Sequence, residues 1–180
     1  MVVAVVAMLT GCVRAEPIPT PPPTSAPTPT ATPLFASDAE ALAAATAAYA
    51  AYVAMSDKIL MQGGVDPGRI EEVTTNNQLT VELNGYRAAA ERGLHSSGGT
   101  TFDQVALERY DTTSPDGRRV VALYLCEDVS KVDVVDANGI SVVTSTRPNR
   151  VKYEVQFDES PRDSGALRVS QKAPWRGGQC

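Results

Sequence analysis

The chain has 180 residues and a formal net charge of −5, with 16 basic and 21 acidic side chains. This length suits one domain with extensions, and the acidic balance argues against nucleic acid or another polyanion as a partner. The part that follows the first 36 residues is close to the commonest domain size. It is long enough to bury a core without metals or many disulfides.

The first eleven residues have the pattern of a secretion signal. Residues 2–9 are all apolar. Eight residues of helix rise about 12 Å, against roughly 30 Å of bilayer hydrocarbon, so the run is typical of a signal peptide and not of a membrane span. The residues Leu9, Thr10, Gly11 and Cys12 resemble the bacterial lipobox. The resemblance implies a diacylglyceryl group on the Cys12 thiol and cleavage after Gly11.

The signal departs from the usual pattern in one respect. No Lys or Arg precedes Cys12, although a signal peptide normally begins with positive residues. We expect the true start codon to lie upstream of Met1. The alternative is a chance Gly-Cys pair in the leader of a fully secreted protein. The lipoprotein interpretation predicts a protein anchored to the cell membrane through Cys12 on its extracytoplasmic face.

Residues 12–36 are predicted to comprise the lipidated cysteine and a tether rich in proline and threonine. Eight of the 13 prolines lie between Glu16 and Pro33. Proline fixes φ and removes a backbone donor, so the segment favours polyproline II, a semi-rigid spacer with about 3.1 Å per residue. Residues 13–36 could therefore hold a domain up to about 75 Å from the bilayer. The folded domain is predicted to cover residues 37–180.

The cysteine count is odd. If Cys12 carries a lipid, Cys126 and Cys180 remain. An extracytoplasmic compartment permits a disulfide between them, and closing a loop of about 50 residues is worth roughly 4 kcal/mol in the chain-entropy model. The alternative is two free thiols with a redox or catalytic role, for which no Cys-x-x-Cys motif is present.

An alanine-rich helix is predicted at the start of the domain. Ser37 and Glu40 match a capping box, and the helix is expected to run to about Gln62, where Gly63 and Gly64 stop it. The residues of its expected apolar stripe are Leu42, Tyr49, Tyr52, Val53, Ile59 and Leu60.

Two further helical segments are predicted. Asp66 followed by Pro67 is typical of an N-cap and a first helical residue, opening a short turn through Val73. A longer helix is expected from about Asn76 to Arg92. The residues of its expected apolar face are Leu79, Leu83, Tyr86 and Ala90.

After Gly99 the apolar period becomes that of strands. Thr101–Tyr110 alternates, with a slip at Asp103-Gln104 that predicts a bulge. The most apolar run, 119–129, predicts a central strand. The Asn138-Gly139 pair predicts a hairpin between strands at 132–135 and 140–143. The last two strands are predicted at 150–158 and 166–171.

Helices followed by consecutive antiparallel strands indicate an α+β fold. Three stretches carry a further resemblance: Thr100–Asp103, then Tyr124–Ser130 with Val134–Asp136, and the closing Trp175–Cys180. On these the chain resembles the NTF2-like-domain lipoproteins of high-GC Gram-positive bacteria. The resemblance implies an NTF2-like cone, in which N-terminal helices pack on a curved antiparallel sheet of about four long strands. It implies a fold and a location but no activity.

The sequence offers little for catalysis or metal binding. The one histidine, His95, is expected in a flexible loop beside Ser96 and Ser97. One histidine and two pairable cysteines leave too few ligands for zinc. The acidic segment around Asp133 and Asp136 lacks the spacing of a calcium loop. No catalytic residue, metal site or cofactor is therefore predicted.

Cone folds can enclose a cavity between helices and sheet. The candidate pocket residues are Tyr49, Tyr52, Tyr86, Tyr110 and Tyr124. The leading hypothesis is a non-enzymatic binding or protein-interaction module whose partner is an envelope protein or a small ligand. The alternatives are a small-molecule carrier and a hydrolase or isomerase, and a homodimer stays open. A cavity with a buried, unpaired carboxylate would favour an enzyme, and a packed interior would favour an interaction module.

Overall fold

The structure is a computed structural model that describes residues 33–114 and 116–180. Cys12, the signal segment 1–11 and the tether up to residue 32 lie outside the described residues. The helices are α1 (Asp38–Met61), a 3-10 helix (Pro67–Glu72) and α2 (Asn76–Glu91). The strands are β1 (His95–Ser97), β2 (Thr101–Tyr110), β3 (Val121–Asp128), β4 (Asp133–Val135), β5 (Arg150–Glu159) and β6 (Leu167–Pro174).

The helices pack against an open antiparallel sheet with the strand order β2-β3-β5-β6, which confirms the predicted α+β class. Strand β3 pairs on both sides, as expected for the most apolar run. Its alternate residues Val121, Leu123 and Leu125 are fully buried and contribute to the core beneath the helices. None of the helices in the described part of the chain is long and apolar enough to cross a membrane.

The predicted ends of α1 are confirmed. The Ser37 side chain accepts a hydrogen bond from the Glu40 amide at 3.2 Å, and the Glu40 carboxylate accepts one from the Ala36 amide at 2.8 Å. Gly63 and Gly64 follow the helix with φ angles of 69° and 78°, which residues with a Cβ rarely adopt. Capping hydrogen bonds and glycine backbone geometry therefore set the two ends of the helix.

The short helix forms over Pro67–Glu72, but Asp66 does not cap it as predicted. Asp66 has a left-handed backbone (φ 49°) and makes no capping hydrogen bond. Its carboxylate instead lies 3.5 Å from Nε of Arg69. The Asp66 side chain therefore forms an ion pair with Arg69, one turn into the helix, and does not act as an N-cap.

Helix α2 has the predicted length, but its buried face is rotated from the predicted one. Gln78, Tyr86 and Ala89 are buried, whereas Ala90 is exposed. Leu79 and Leu83 are only partly buried. The apolar pattern predicted the wrong buried face because two polar residues, Gln78 and Glu82, turn inward toward a hydrogen-bond partner on α1.

Strand β2 contains the predicted bulge. Its register against β3 shifts between Asp103 and Ala106, and Gln104 has a φ angle of 52°. The hairpin prediction is confirmed only at its turn, where the Gly139 amide donates to the Asp136 carbonyl at 2.9 Å. The return segment makes a single bridge, between Ser141 and Val135, and does not form a strand.

Strand β4 pairs with β1, so His95 lies in a strand and not in the flexible loop that was predicted. The three residues of β1 are too few to show a periodic pattern, and their partner lies more than 30 residues away in the chain. Sequence periodicity could not detect this pairing.

Candidate functional site

Two tyrosines of α1 point into the space between helices and sheet. Tyr49 and Tyr52 are three residues apart and so share one helix face. They are buried, with ring centroids 5.5 Å apart. The Tyr49 ring also meets Phe102 of β2 edge to face at 4.9 Å.

A buried ion pair lies opposite these rings. Glu127 has the same inward phase on β3 as Leu123 and Leu125, and its carboxylate lies 2.6 Å from the Lys172 ammonium of β6. The Tyr49 hydroxyl donates to the same carboxylate at 2.5 Å. The ammonium also lies 4.4 Å from the ring centroid of Tyr153, within cation–π range.

Sequence reasoning missed this pair. Strand alternation alone could have identified Glu127 as an inward carboxylate. Lys172 could not be found in that way, because the register of β5 and β6 shifts between Gln156 and Phe157. The shift reverses the phase of β6 and turns Lys172 inward beside Val155.

A second polar network joins the two helices. The Tyr52 hydroxyl donates to Glu82 at 2.5 Å, and the Gln78 side-chain amide donates to the same carboxylate at 2.7 Å. The Tyr86 hydroxyl donates to the Ser56 hydroxyl at 2.9 Å. These partners account for the inward position of two polar residues on α2.

Burial raises the pKa of Tyr49, Tyr52, Tyr86 and Tyr153 above the ordinary value for tyrosine. Nearby carboxylates reinforce the shift, since Glu127 opposes ionisation of Tyr49 and Tyr153, and Glu82 that of the other two. The four hydroxyls therefore stay protonated, and those of Tyr49, Tyr52 and Tyr86 act as fixed hydrogen-bond donors.

A cavity of about 190 Å³, here called the mouth cavity, opens above the ion pair. Its wall combines apolar side chains with three charged groups. The lining residues are Tyr52, Val53, Ser56, Asp57, Leu60, Thr100, Glu127, Val129, Val132 and Lys172.

Two contacts hold the rim of the mouth cavity. Asp57 accepts hydrogen bonds from the Thr100 amide and hydroxyl, both at 2.8 Å, and so ties α1 to the start of β2. The Arg147 guanidinium donates to the carbonyls of Val129 and Val132 at 2.9 and 2.8 Å. The loop between β3 and β4 is thereby fixed in shape.

The structure does not bring the five predicted pocket tyrosines together. Tyr49, Tyr52 and Tyr86 gather beneath the mouth cavity, but only Tyr52 lines it. Tyr110 lies at the other end of β2, where its hydroxyl accepts a hydrogen bond from the Phe35 amide and donates one to the Phe35 carbonyl. Tyr124 lies on the outer face of the sheet against the Trp175 ring, 4.6 Å between centroids.

The predicted disulfide between Cys126 and Cys180 is present, with the two Cα atoms 5.6 Å apart. Cys126 alternates with the inward residues of β3, so the bridge lies on the outer face, away from the mouth cavity. In the described part of the chain, no group of three or more His, Cys, Asp or Glu side chains is arranged to hold a metal ion.

The fold and site define an α+β protein with a small charged cavity at the open end of a helix-covered sheet. No protein-family model and no curated protein matches the chain. Among solved structures it is similar to Aln2 from a Streptomyces species, with 21% identity and a TM-score of 0.47 over 78% of this chain and 93% of Aln2.

It is also similar to the intermembrane-space region of the chloroplast protein ARC6. The identity is 17% and the TM-score 0.44, over 73% of this chain and 95% of that one. Likenesses at this level imply nothing about the activity of this chain.

Proposed function

We propose that this chain is a membrane-anchored extracytoplasmic lipoprotein whose domain is a non-enzymatic binding module of the NTF2-like cone type. The mouth cavity is its binding site. The observation that carries the proposal is this cavity, in which fixed charges, the Tyr52 side chain and apolar side chains surround one opening. Such a mixture of an apolar wall with a few convergent polar groups is typical of binding sites.

The size of the mouth cavity supports a small occupant. At about 190 Å³ it lies below the range of about 300–1,000 Å³ common for drug-sized ligands. It fits a small molecule or one side chain of a partner protein. A carrier of small molecules would use the same cavity.

The hydrogen bonds of the site support a binding role. The carboxylates of Glu127, Glu82 and Asp57 each accept hydrogen bonds from fixed partners. Such fixed acceptors present a preformed set of charges to an occupant, as a binding site does.

Site-specific photo-crosslinking in intact cells tests the binding site. A photoreactive residue at Val132, on the rim, is expected to form a discrete adduct. The same residue at Ser164, in the turn between β5 and β6, serves as the matched control and is expected to form none. Equal adduct patterns from both positions would contradict a site at the mouth cavity.

Fractionation of the Cys12→Ser variant tests the anchor. Without the thiol the lipid cannot be attached, so the variant is expected to leave the membrane fraction or to remain unprocessed. The wild-type chain should stay with membranes and be released by detergent. A variant that fractionates like the wild type would contradict lipid anchoring through Cys12.

A further inference from the structure

We propose that the mouth cavity selects a primary alkylammonium group, with the ammonium bound at Asp57. The inference rests on the proposed function, because it names the ligand class of the same cavity. It is carried by the balance of charge in the lining, by the geometry of Asp57 and by the apolar wall beside it.

The charge balance of the mouth cavity favours a cation. Its lining holds the carboxylates of Asp57 and Glu127 and the ammonium of Lys172. Lys172 lies 2.6 Å from Glu127, so these two charges largely cancel. Among the lining side chains, the negative charge of Asp57 is left over. Outside the lining, the Glu82 carboxylate next to the Tyr52 hydroxyl and the Arg147 guanidinium next to Val129 and Val132 carry opposite charges. In a partly desolvated site the surplus on Asp57 attracts a cation and repels an anion.

Asp57 is prepared to accept such a group. Each of its oxygens already accepts one hydrogen bond from Thr100, which fixes the orientation of the carboxylate. A carboxylate has about four acceptor positions, so further lone pairs remain for a ligand. A charged donor would meet a carboxylate that is already oriented, and charge-assisted hydrogen bonds are the strong ones.

Lys172 does not occupy this position. Its ammonium lies deep in the mouth cavity between Glu127 and the Tyr153 ring, with the lysine side chain 15% exposed. Asp57 is half-buried at the rim. Lys172 therefore neutralises Glu127 in the interior of the cavity. Asp57 at the rim remains available for the cation of a ligand.

The apolar wall fits a short alkyl chain. Val53 and Leu60 lie on the same face of α1 as Asp57, at spacings of three to four residues. Val129 and Val132 face them from the loop that Arg147 holds. The small volume accommodates a chain of a few carbons behind an ammonium, such as a free alkylamine or a lysine side chain.

Chemical-shift titrations of the ¹⁵N-labelled full-length chain test the proposal with three probes of equal length: n-butylammonium, butyrate and 1-butanol. Butylammonium is expected to shift the amides around Asp57 and Thr100 and to bind at least about tenfold more tightly than the other two. Asp57→Asn should weaken its binding by about tenfold. Asp163→Asn, at the far end of the sheet, is the matched control and should leave it unchanged.

Ionic strength and a second ligand refine the test. Butylammonium binding to the wild-type chain should weaken with added salt, a result that does not depend on how the variants fold. Tighter binding of Nα-acetyl-lysine methylamide than of butylammonium assigns the group to a peptide, and the reverse assigns it to a free amine. Both results support the proposal.

Failure of the cation inference and failure of the proposed binding site give different results. If butyrate or butanol binds in the mouth cavity as tightly as butylammonium, the cation inference is wrong while the binding site stands. If butylammonium binds there with no loss in Asp57→Asn, Asp57 is not its partner and the inference is overturned. If no probe shifts the amides of the mouth cavity and rim crosslinks are absent, both the inference and the proposed function fail.

Discussion

At the scale of single residues, Glu127 and Lys172 form an ion pair inside the fold. Their side chains are only 10% and 15% exposed. Removing an ion from water costs several kcal/mol, which a buried pair recovers only with good geometry and further hydrogen bonds. The Tyr49 hydroxyl and the Tyr153 ring supply these additional contacts. The loss of one member of the pair should therefore destabilise the fold much more than the loss of both charges.

Lys172→Met is expected to lower the free energy of unfolding by about 3 kcal/mol, because it leaves the Glu127 carboxylate without its cation. Adding Glu127→Gln should recover most of the loss, since the amide oxygen still accepts from Tyr49 and no buried charge remains. Urea denaturation of the single and double variants measures both effects.

Lys152→Met provides the matched control, since this lysine lies on the outer face of the same sheet. Its loss should change the free energy of unfolding by less than about 1 kcal/mol. A double variant as unstable as Lys172→Met alone would contradict the account of the buried pair.

At the scale of elements, tyrosine hydroxyls join the helices to each other and to the sheet. Tyr49 connects α1 to β3 through Glu127, and Tyr52 connects α1 to α2 through Glu82. In the fold the pKa of both tyrosines is raised, first by burial and then by the adjacent carboxylate. The two contacts persist only while the hydroxyls keep their protons.

The raised pKa of the two tyrosines predicts that the protein unfolds at alkaline pH. The folded-state pKa of Tyr49 and Tyr52 lies above the ordinary value of about 10 that applies in the unfolded chain. Above pH 10 the unfolded chain therefore loses protons that the folded chain retains. Stability is fully present below about pH 10 and falls as the pH rises, by about 1.4 kcal/mol per pH unit for each such tyrosine.

Tyrosinate absorbance and circular dichroism, followed together in an alkaline titration, measure the effect. The absorbance of the buried tyrosines should rise only as the fold is lost. Tyr49→Phe removes one titrating group, so its stability should depend less steeply on pH above 10. Tyrosinate formation by these residues in a chain that stays folded would contradict the prediction.

At the scale of the whole molecule, the C-terminal segment crosses the outer face of the sheet from β6 to β3. The Trp175 amide donates to the Lys152 carbonyl of β5 at 2.8 Å, and its ring packs on Tyr124 of β3. The disulfide from Cys180 to Cys126 then ties the chain end to the central strand. A terminus that would otherwise fray is held covalently.

Cys180→Ser is expected to lower the free energy of unfolding by up to about 4 kcal/mol, since the unfolded chain regains the freedom that the closed loop removes. Trp175 is the only tryptophan of the chain, so its fluorescence reports on the segment. The variant should show a red-shifted emission as the ring leaves Tyr124.

The reductant control separates the bridge from other effects. Dithiothreitol should reproduce the change in the wild-type chain and have no further effect on the variant. Unchanged stability and emission in Cys180→Ser would show that the disulfide does not hold the segment.

Much of the local architecture was predictable from the sequence. The Ser37 cap, the glycine stop at Gly63, the bulge at Gln104 and the central position of β3 each depend on a few neighbouring residues. Backbone geometry, capping hydrogen bonds and side-chain alternation act over that range, so the pattern carries the information. The Cys126–Cys180 pairing was predictable from the cysteine count together with the expected lipid on Cys12.

The candidate site was less predictable. Five tyrosines were expected in one pocket, yet Tyr110 and Tyr124 lie elsewhere and only Tyr52 lines the mouth cavity. The inward face of α2 was missed because Gln78 and Glu82 are polar. Their inward position depends on a hydroxyl of another helix, which no pattern within α2 predicts.

The sequence by itself determined the order of the helices and of the four long strands and the ends of α1, because those depend on interactions between residues close in the chain. Only the tertiary structure decided that Glu127 meets Lys172, 45 residues further along the chain. A register shift between β5 and β6 turns Lys172 inward, against the alternation set by Leu167 and Val169. Strand pairing sets that phase, and it also decides which charges line the mouth cavity.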